Sequence, residues 1–253
     1  MKKLLLCAAL ASCFATSAAY AEEAKPAEPK PDNEVAFNVG VATEYRFRGV
    51  SQTRNDPSVQ GGADYVNNPT GLYAGIWASS IKWIKDAGGS GNVEIDVYGG
   101  IKGEVIKDVS YDLGVLTYVY PSSHLGRVPG FTSAATTELY GQLGYGPFYA
   151  KYSHSVTDTF GFVDSKNSGY VDLGANVELT DGFTLNLHVG RQFFKNNGAY
   201  SYTDWKVGLT KEFFGLTFNL AALGTDATKR LYVTPKGDPT AKARVVLLVS
   251  KYF

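Results

Sequence analysis

From Glu34 to Val50 the side chains alternate without a break: Val35, Phe37, Val39, Val41, Thr43, Tyr45 and Phe47 hold the odd positions, and Ala36, Asn38, Gly40, Ala42, Glu44, Arg46 and Arg48 the even ones. Successive side chains of a strand point to opposite faces, so this stretch reads as one long strand with an apolar and a polar side. A helix would scatter the apolar residues around its whole circumference and would carry Gly40 in its interior. At about 3.3 Å per residue the run is long enough to cross a bilayer.

The pattern recurs along the chain. Val93, Ile95, Val97, Gly99 and Ile101 oppose Glu94, Asp96, Tyr98 and Lys102, and Val109, Tyr111, Leu113, Val115 and Val119 oppose Ser110, Asp112 and Gly114. Val171, Leu173, Ala175, Val177 and Leu179 oppose Asp172, Asn176 and Glu178, while Phe183, Leu185, Leu187 and Val189 oppose Thr184, Asn186 and His188. Shorter candidates run over 59–65, 72–81, 136–145, 148–154, 205–212, 216–222 and 242–253, for about twelve strands in all.

Connection lengths alternate as well. Long stretches of roughly 7 to 20 residues follow odd-numbered strands, and short turns of roughly 2 to 5 follow even-numbered ones, the asymmetry of outer-membrane barrels. A run of about 18 apolar residues, the length needed for a membrane-crossing helix, is not found after the N-terminus. A spanning chain of this kind must then close its sheet, because an open edge would leave unpaired backbone groups in lipid. The expected fold is all-β: a closed antiparallel up-and-down transmembrane barrel over 34–253, with short periplasmic turns and long extracellular loops.

Composition agrees, with 28 Gly, 17 Tyr and 14 Phe against one Met, a mixture suited to tight turns, close strands and interfacial rings. The aromatics fall near the two ends of the strands. Tyr65, Tyr73, Tyr145, Phe148, Phe183, Phe213, Phe214 and Phe253 lie by the short turns, and Tyr45, Phe47, Trp83, Tyr118, Tyr120, Phe193, Phe194 and Trp205 by the long loops, so two lipid-interface girdles are expected. Lys+Arg and Asp+Glu balance at 24 each, which leaves no basic field for nucleic acid.

Lys2 and Lys3, the apolar run from Leu4 to Leu10 and the small-residue site Ala19-Tyr20-Ala21 form a secretory signal peptide over 1–21. An alternative stands beside it, since Leu10-Ala11-Ser12-Cys13 has the form of a lipobox with Cys13 as the lipidated residue. Cys7 and Cys13 are the only cysteines, so no disulfide framework is available after processing. Residues 22–33, with Pro26, Pro29 and Pro31, read as an extended leader outside the fold.

With the apolar faces toward lipid, the other faces line the lumen. The candidates are Glu44, Arg46, Arg48, Asp64, Glu94, Asp96, Lys102, Glu104, Asp112, Glu138, Lys151, Asp172, Glu178, Lys206, Lys242 and Arg244. In the first strand this register turns Glu44, Arg46 and Arg48 inward and Tyr45 and Phe47 toward lipid. The two arginines either meet anionic solutes or pair with carboxylates such as Glu44.

The stretch from Thr43 to Gln52 (TEYRFRGVSQ) with Pro57 to Gly62 (PSVQGG) resembles the opening motif of the TorF-type porins, the Gcw_chp family of bacterial outer-membrane proteins. Gly71 to Ser79 (GLYAGIWAS) and Glu94, Ile95, Asp96, Tyr98 and Gly100 are similar to its next blocks, and the resemblance covers the mature chain. It implies an outer-membrane barrel and no particular substrate. The strand ending at Phe253, with Val249, Leu247 and Val245 at alternate positions, resembles the signal read by barrel-assembly machinery, although Lys251 stands where an apolar residue is usual.

The functional expectation is a pore in the bacterial outer membrane for passive diffusion of small hydrophilic solutes, in contact with outer-membrane lipid and using no metal or cofactor. Two other classes compete: a non-conducting surface or assembly barrel that binds a partner through its long loops, and an outer-membrane lipid hydrolase. The three histidines, His124, His154 and His188, have no nucleophile elbow, metal-ligand cluster or phosphate loop beside them, and His154 and Ser155 point apart on a strand. Catalysis is accordingly not expected.

Overall fold

A computed structural model describes residues 31–253; the signal peptide expected at 1–21 and the leader up to residue 30 lie outside the described residues. Twelve of the described strands form one closed antiparallel barrel. They are β1 (Asn33–Ala42), β4 (Ser58–Asn67), β5 (Leu72–Ser80), β6 (Val93–Ile106), β7 (Val109–Val119), β8 (Thr136–Tyr145), β9 (Phe148–Ser155), β10 (Gly169–Glu178), β11 (Phe183–Phe193), β12 (Tyr202–Phe213), β13 (Leu216–Thr225) and β14 (Arg244–Tyr252). Each pairs with its neighbour in sequence, and β14 returns to β1 with Asn38 opposite Tyr252 and Ala42 opposite Leu248. The remaining pair, β2 (Arg46–Phe47) and β3 (Val50–Ser51), forms a separate two-stranded ribbon.

Short turns join the strands at one end and long loops at the other, as the connection lengths predict. Along the wall the exposed positions are apolar: Val35, Phe37, Val39 and Val41 on β1, Leu139 and Leu143 on β8, Val207 and Leu209 on β12. The alternate positions face the lumen. Charges on the lipid face fall near its edges, with Arg191 toward the loops and Lys211 and Lys251 toward the short turns. The ammonium of Lys211 lies 4.1 Å from the Phe183 ring centre and that of Lys251 lies 5.0 Å from the Phe253 ring. At this depth a lysine stem stays in the apolar layer while its head reaches the interface, which gives Lys251 a place on a lipid-facing strand.

Glycine is abundant because inward tyrosines lie flat over neighbouring strands. Tyr98 faces Gly75 across the β5–β6 pair, and a Cβ on Gly75 would stand 2.4 Å from its ring. Tyr140 covers Gly114 in the same way across β7–β8. Each ring fills the space that the missing side chain leaves on the pleat.

Five expectations change, four of them small. The leader does not stop short of the wall: Asn33 is already a β1 residue opposite Asn67, and Asn68 donates its amide N–H to Asp32 O at 2.8 Å. Lys242 lies in the loop before β14 rather than on a strand. The short-turn girdle is present and exposed except for Tyr73, which points inward and donates to Asp112 at 2.5 Å. The loop-end girdle is mostly absent. Phe193 and Trp205 face out, but Tyr45, Phe47, Trp83, Tyr118, Tyr120 and Phe194 pack inside the mouth. Position along the strand had sorted these rings by height, whereas their inward parity or folded-over loops decide the face.

The largest change concerns residues 43–57. The first wall strand ends at Ala42, and the chain then turns into the barrel instead of continuing to Val50. Tyr45 and Phe47 therefore do not face lipid. Alternation persists because the inserted segment has two contrasting faces of its own, both enclosed by protein.

Candidate functional site: a hairpin inside the lumen

Thr43 marks the departure point, its N–H donating to Leu247 O at 2.9 Å and its Oγ1 accepting from Leu247 N–H at 3.1 Å. Beyond it, β2 and β3 pair with Phe47 opposite Val50, leaving Arg48 and Gly49 as a two-residue turn. Both have positive φ, 45° and 79°, the requirement of a tight hairpin turn whose twist matches its strands. Gly49 also approaches the far wall, where a Cβ would stand 2.8 Å from Asp204 Cβ.

Arg48, at the tip, is 3% exposed. Its Nη1 and Nη2 donate to the two carboxylate oxygens of Glu138 on β8 at 3.0 and 2.7 Å, and Nη1 donates also to Gln192 Oε1 on β11 at 2.6 Å. The guanidinium lies 4.1 Å from the Tyr170 ring centre and 4.7 Å from that of Phe47. A planar cation forked onto one carboxylate and stacked on rings is held in one orientation. The base of the hairpin is fixed too. Arg46 Nε donates to Glu44 at 2.8 Å and its Nη1 to Gly49 O at 2.9 Å. Tyr45 OH donates to Glu94 on β6 at 2.6 Å, Ser51 N–H to Thr240 O in the last loop at 2.9 Å, and Lys82 N–H to Gln52 O at 2.7 Å. The hairpin thus touches β6, β8, β10, β11 and β12 and two other loops, and it narrows the loop half of the lumen.

Beside the hairpin His188 joins three strands, with Nδ1 2.7 Å from Asp172 and Nε2 2.6 Å from Asp204, while Tyr170 OH donates to Asp204 at 2.9 Å. Another polar ladder runs through Asn186, whose Oδ1 accepts from Thr210 at 2.6 Å and Asn219 at 3.2 Å and whose Nδ2 donates to Asn176 at 2.8 Å. Toward the short turns the lumen carries Asp64, which accepts from Tyr98, and Asp112, which accepts from Tyr73. Lys151 lies 4.0 Å over the Tyr140 ring and Lys102 5.3 Å over Tyr73. Asp64, Lys102 and Lys151 are only partly buried in this half.

Of the residues chosen from sequence, Glu44, Arg46, Arg48, Glu94, Asp96, Asp112, Glu138, Asp172 and Lys206 are all buried within the barrel. Arg244 is exposed at the start of β14, Glu104 and Glu178 at short-turn strand ends. The arginines meet carboxylates rather than standing alone. Gln192, Asp204 and Tyr170 were not singled out, because the strands recognised from sequence stopped short of each of them, whereas the wall extends over all three.

A closed sheet with an apolar outer face, a charged inner face and its own first loop folded inside defines a transmembrane β-barrel of the outer-membrane porin fold. The chain belongs to the Gcw_chp family, described as "Bacterial protein of unknown function (Gcw_chp)", whose profile matches residues 25–253. Among solved structures it is similar to the KdgM porin, with a TM-score of 0.55 and 5% identity over 86% of this chain and 99% of that one. It is similar also to the NanC porin, with a TM-score of 0.52 and 11% identity over 86% and 98% of the two chains. The COG4313 outer membrane channel from Pseudomonas putida gives a TM-score of 0.50 and 13% identity over 91% and 100%. At these identities the likeness is one of fold. No curated protein matches in sequence.

Proposed function

We propose that the protein is an outer-membrane channel through which small hydrophilic solutes diffuse, with the β2–β3 hairpin as its constriction. The observation that carries this reading is the lumen itself: Asp64, Lys102, Asp112 and Lys151 face inward in the half that the hairpin does not enter. Charged side chains facing a barrel interior need water or ion partners, so this half is wet. The fixed charges are of both signs and set which solutes pass. The N-terminal segment supplies export, and lipid and barrel-assembly machinery are the partners of insertion.

A lipid hydrolase is disfavoured by geometry. His154 hydrogen-bonds Tyr152 and Asn167, away from Ser155. His124 Nδ1 lies 2.7 Å from Ser90 Oγ on exposed loops, but the Ser90 hydroxyl donates to Ser122 O at 2.5 Å. A non-conducting barrel is the remaining alternative, supported by the packing of the mouth around Arg48. Swelling of proteoliposomes in isosmotic sugar separates the two. Channels give swelling that is faster in a pentose than in a trisaccharide, and absence of swelling in either overturns the proposal.

A further inference from the structure

On the loop side of the hairpin the protein forms a partly open cavity of about 310 Å³. Phe47, Val50 and Gln52 of the hairpin segment border it, and rings from separate loops complete it, among them Trp83, Phe162 and Tyr232. These rings hold one another in place: Phe162 lies 4.5 Å from Tyr200 and 4.7 Å from Phe194 between ring centres, and Trp83 meets Tyr120 edge-on at 5.2 Å. Volume and lining are those of a pocket for a small molecule.

Several polar groups on its surface are already engaged, while Trp83 Nε1 has no hydrogen-bond partner. Gln192 accepts from Arg48 and donates to Gly169 O at 3.2 Å, Gln52 Nε2 donates to Val50 O at 3.0 Å, and Tyr232 OH donates to Tyr200 O at 2.6 Å. Asp86, the charged residue among the lining groups, is paired with Arg54. A polyhydroxylated solute entering here would lose water and find few partners, and an ion would find no counter-charge. A planar apolar ring instead gains edge and face contacts on several sides.

We propose that this cavity binds a small uncharged aromatic solute at the mouth of the barrel. The assignment goes beyond the channel reading: it places a binding site beside the path of the hydrophilic solutes, and binding itself does not require conduction.

Calorimetric titration of the folded protein in detergent micelles with indole tests it. Partition into micelles gives non-saturating heat in every sample, so the signal is the saturable part. Wild type gives saturable binding, and Ala87→Trp and Val233→Trp, which fill the cavity from two sides, each weaken it at least tenfold while retaining heat-modifiable migration. Glucose and benzoate give no saturable heat. Absence of saturable indole binding, undiminished binding in whichever filled variant folds, or preferential binding of glucose overturns the site. Conductance in planar bilayers distinguishes the two readings: a protein that conducts without binding indole loses the site and keeps the channel, and one that binds indole without conducting does the reverse.

Discussion

Arg48 and Glu138, 90 residues apart, meet inside the barrel in a two-pronged ion pair with both side chains almost wholly enclosed. The pair ties the tip of an inserted hairpin to the wall. Removing one partner of such a pair strands a buried charge, a loss of about 3–5 kcal/mol. Arg48→Ala should therefore lower the temperature at which the barrel loses its compact gel migration, and should raise conductance by loosening the constriction. Arg48→Met with Glu138→Gln removes both charges and should recover much of the stability. Equal unfolding temperatures for Arg48→Ala and wild type would show that the hairpin is held by other contacts.

A second prediction separates lipid-facing from inserted positions. Fluorophores on Val39→Cys and Val41→Cys should be quenched by brominated lipid, and those on Tyr45→Cys and Phe47→Cys should not. Val41→Arg should reduce assembly, since an arginine on the lipid face of a barrel costs about 2–4 kcal/mol at the midplane and less toward the interface. Strong lipid quenching at position 47 would return residues 43–47 to the wall.

The wall strands were legible because alternation reports faces directly, and their burial requires only that one side meet lipid. The hairpin was not. Period two distinguishes Tyr45 and Phe47 from Arg46 and Arg48 but does not say what lies opposite either face, and inside a barrel both faces find partners. The available signal was Gly49, which interrupts a β-rich run beside a residue that takes positive φ. Gln192, Asp204 and Tyr170 become recognisable as site residues only once closure brings β8, β10, β11 and β12 around the same tip.

Gly75→Val places a side chain where the Tyr98 ring lies and should destabilise the barrel by about 1–3 kcal/mol, the usual cost of overpacking. Pairing it with Tyr98→Ala should restore part of that loss. Thermal gel-shift midpoints of the single and double variants check the coupling, and simple additivity would contradict the ring-over-glycine packing.

Phe253 exchanges backbone hydrogen bonds with Phe37, at 2.9 and 3.3 Å, across the closing β14–β1 seam. Its deletion should reduce the yield of folded barrel more than removal of residues 22–30. Comparable yields from the two truncations would count against a role of this residue in closure.

A conducting lumen limited by the inserted hairpin has a conductance that rises when the hairpin is removed. The most direct measurement is single-channel conductance in planar bilayers of the full chain and of a variant in which residues 44–56 are replaced by a short Gly-Ser linker, both verified as heat-modifiable barrels. Discrete steps are expected for the wild type and steps several-fold larger for the variant. A folded variant that conducts no better than wild type, or no steps from either protein, would contradict that expectation.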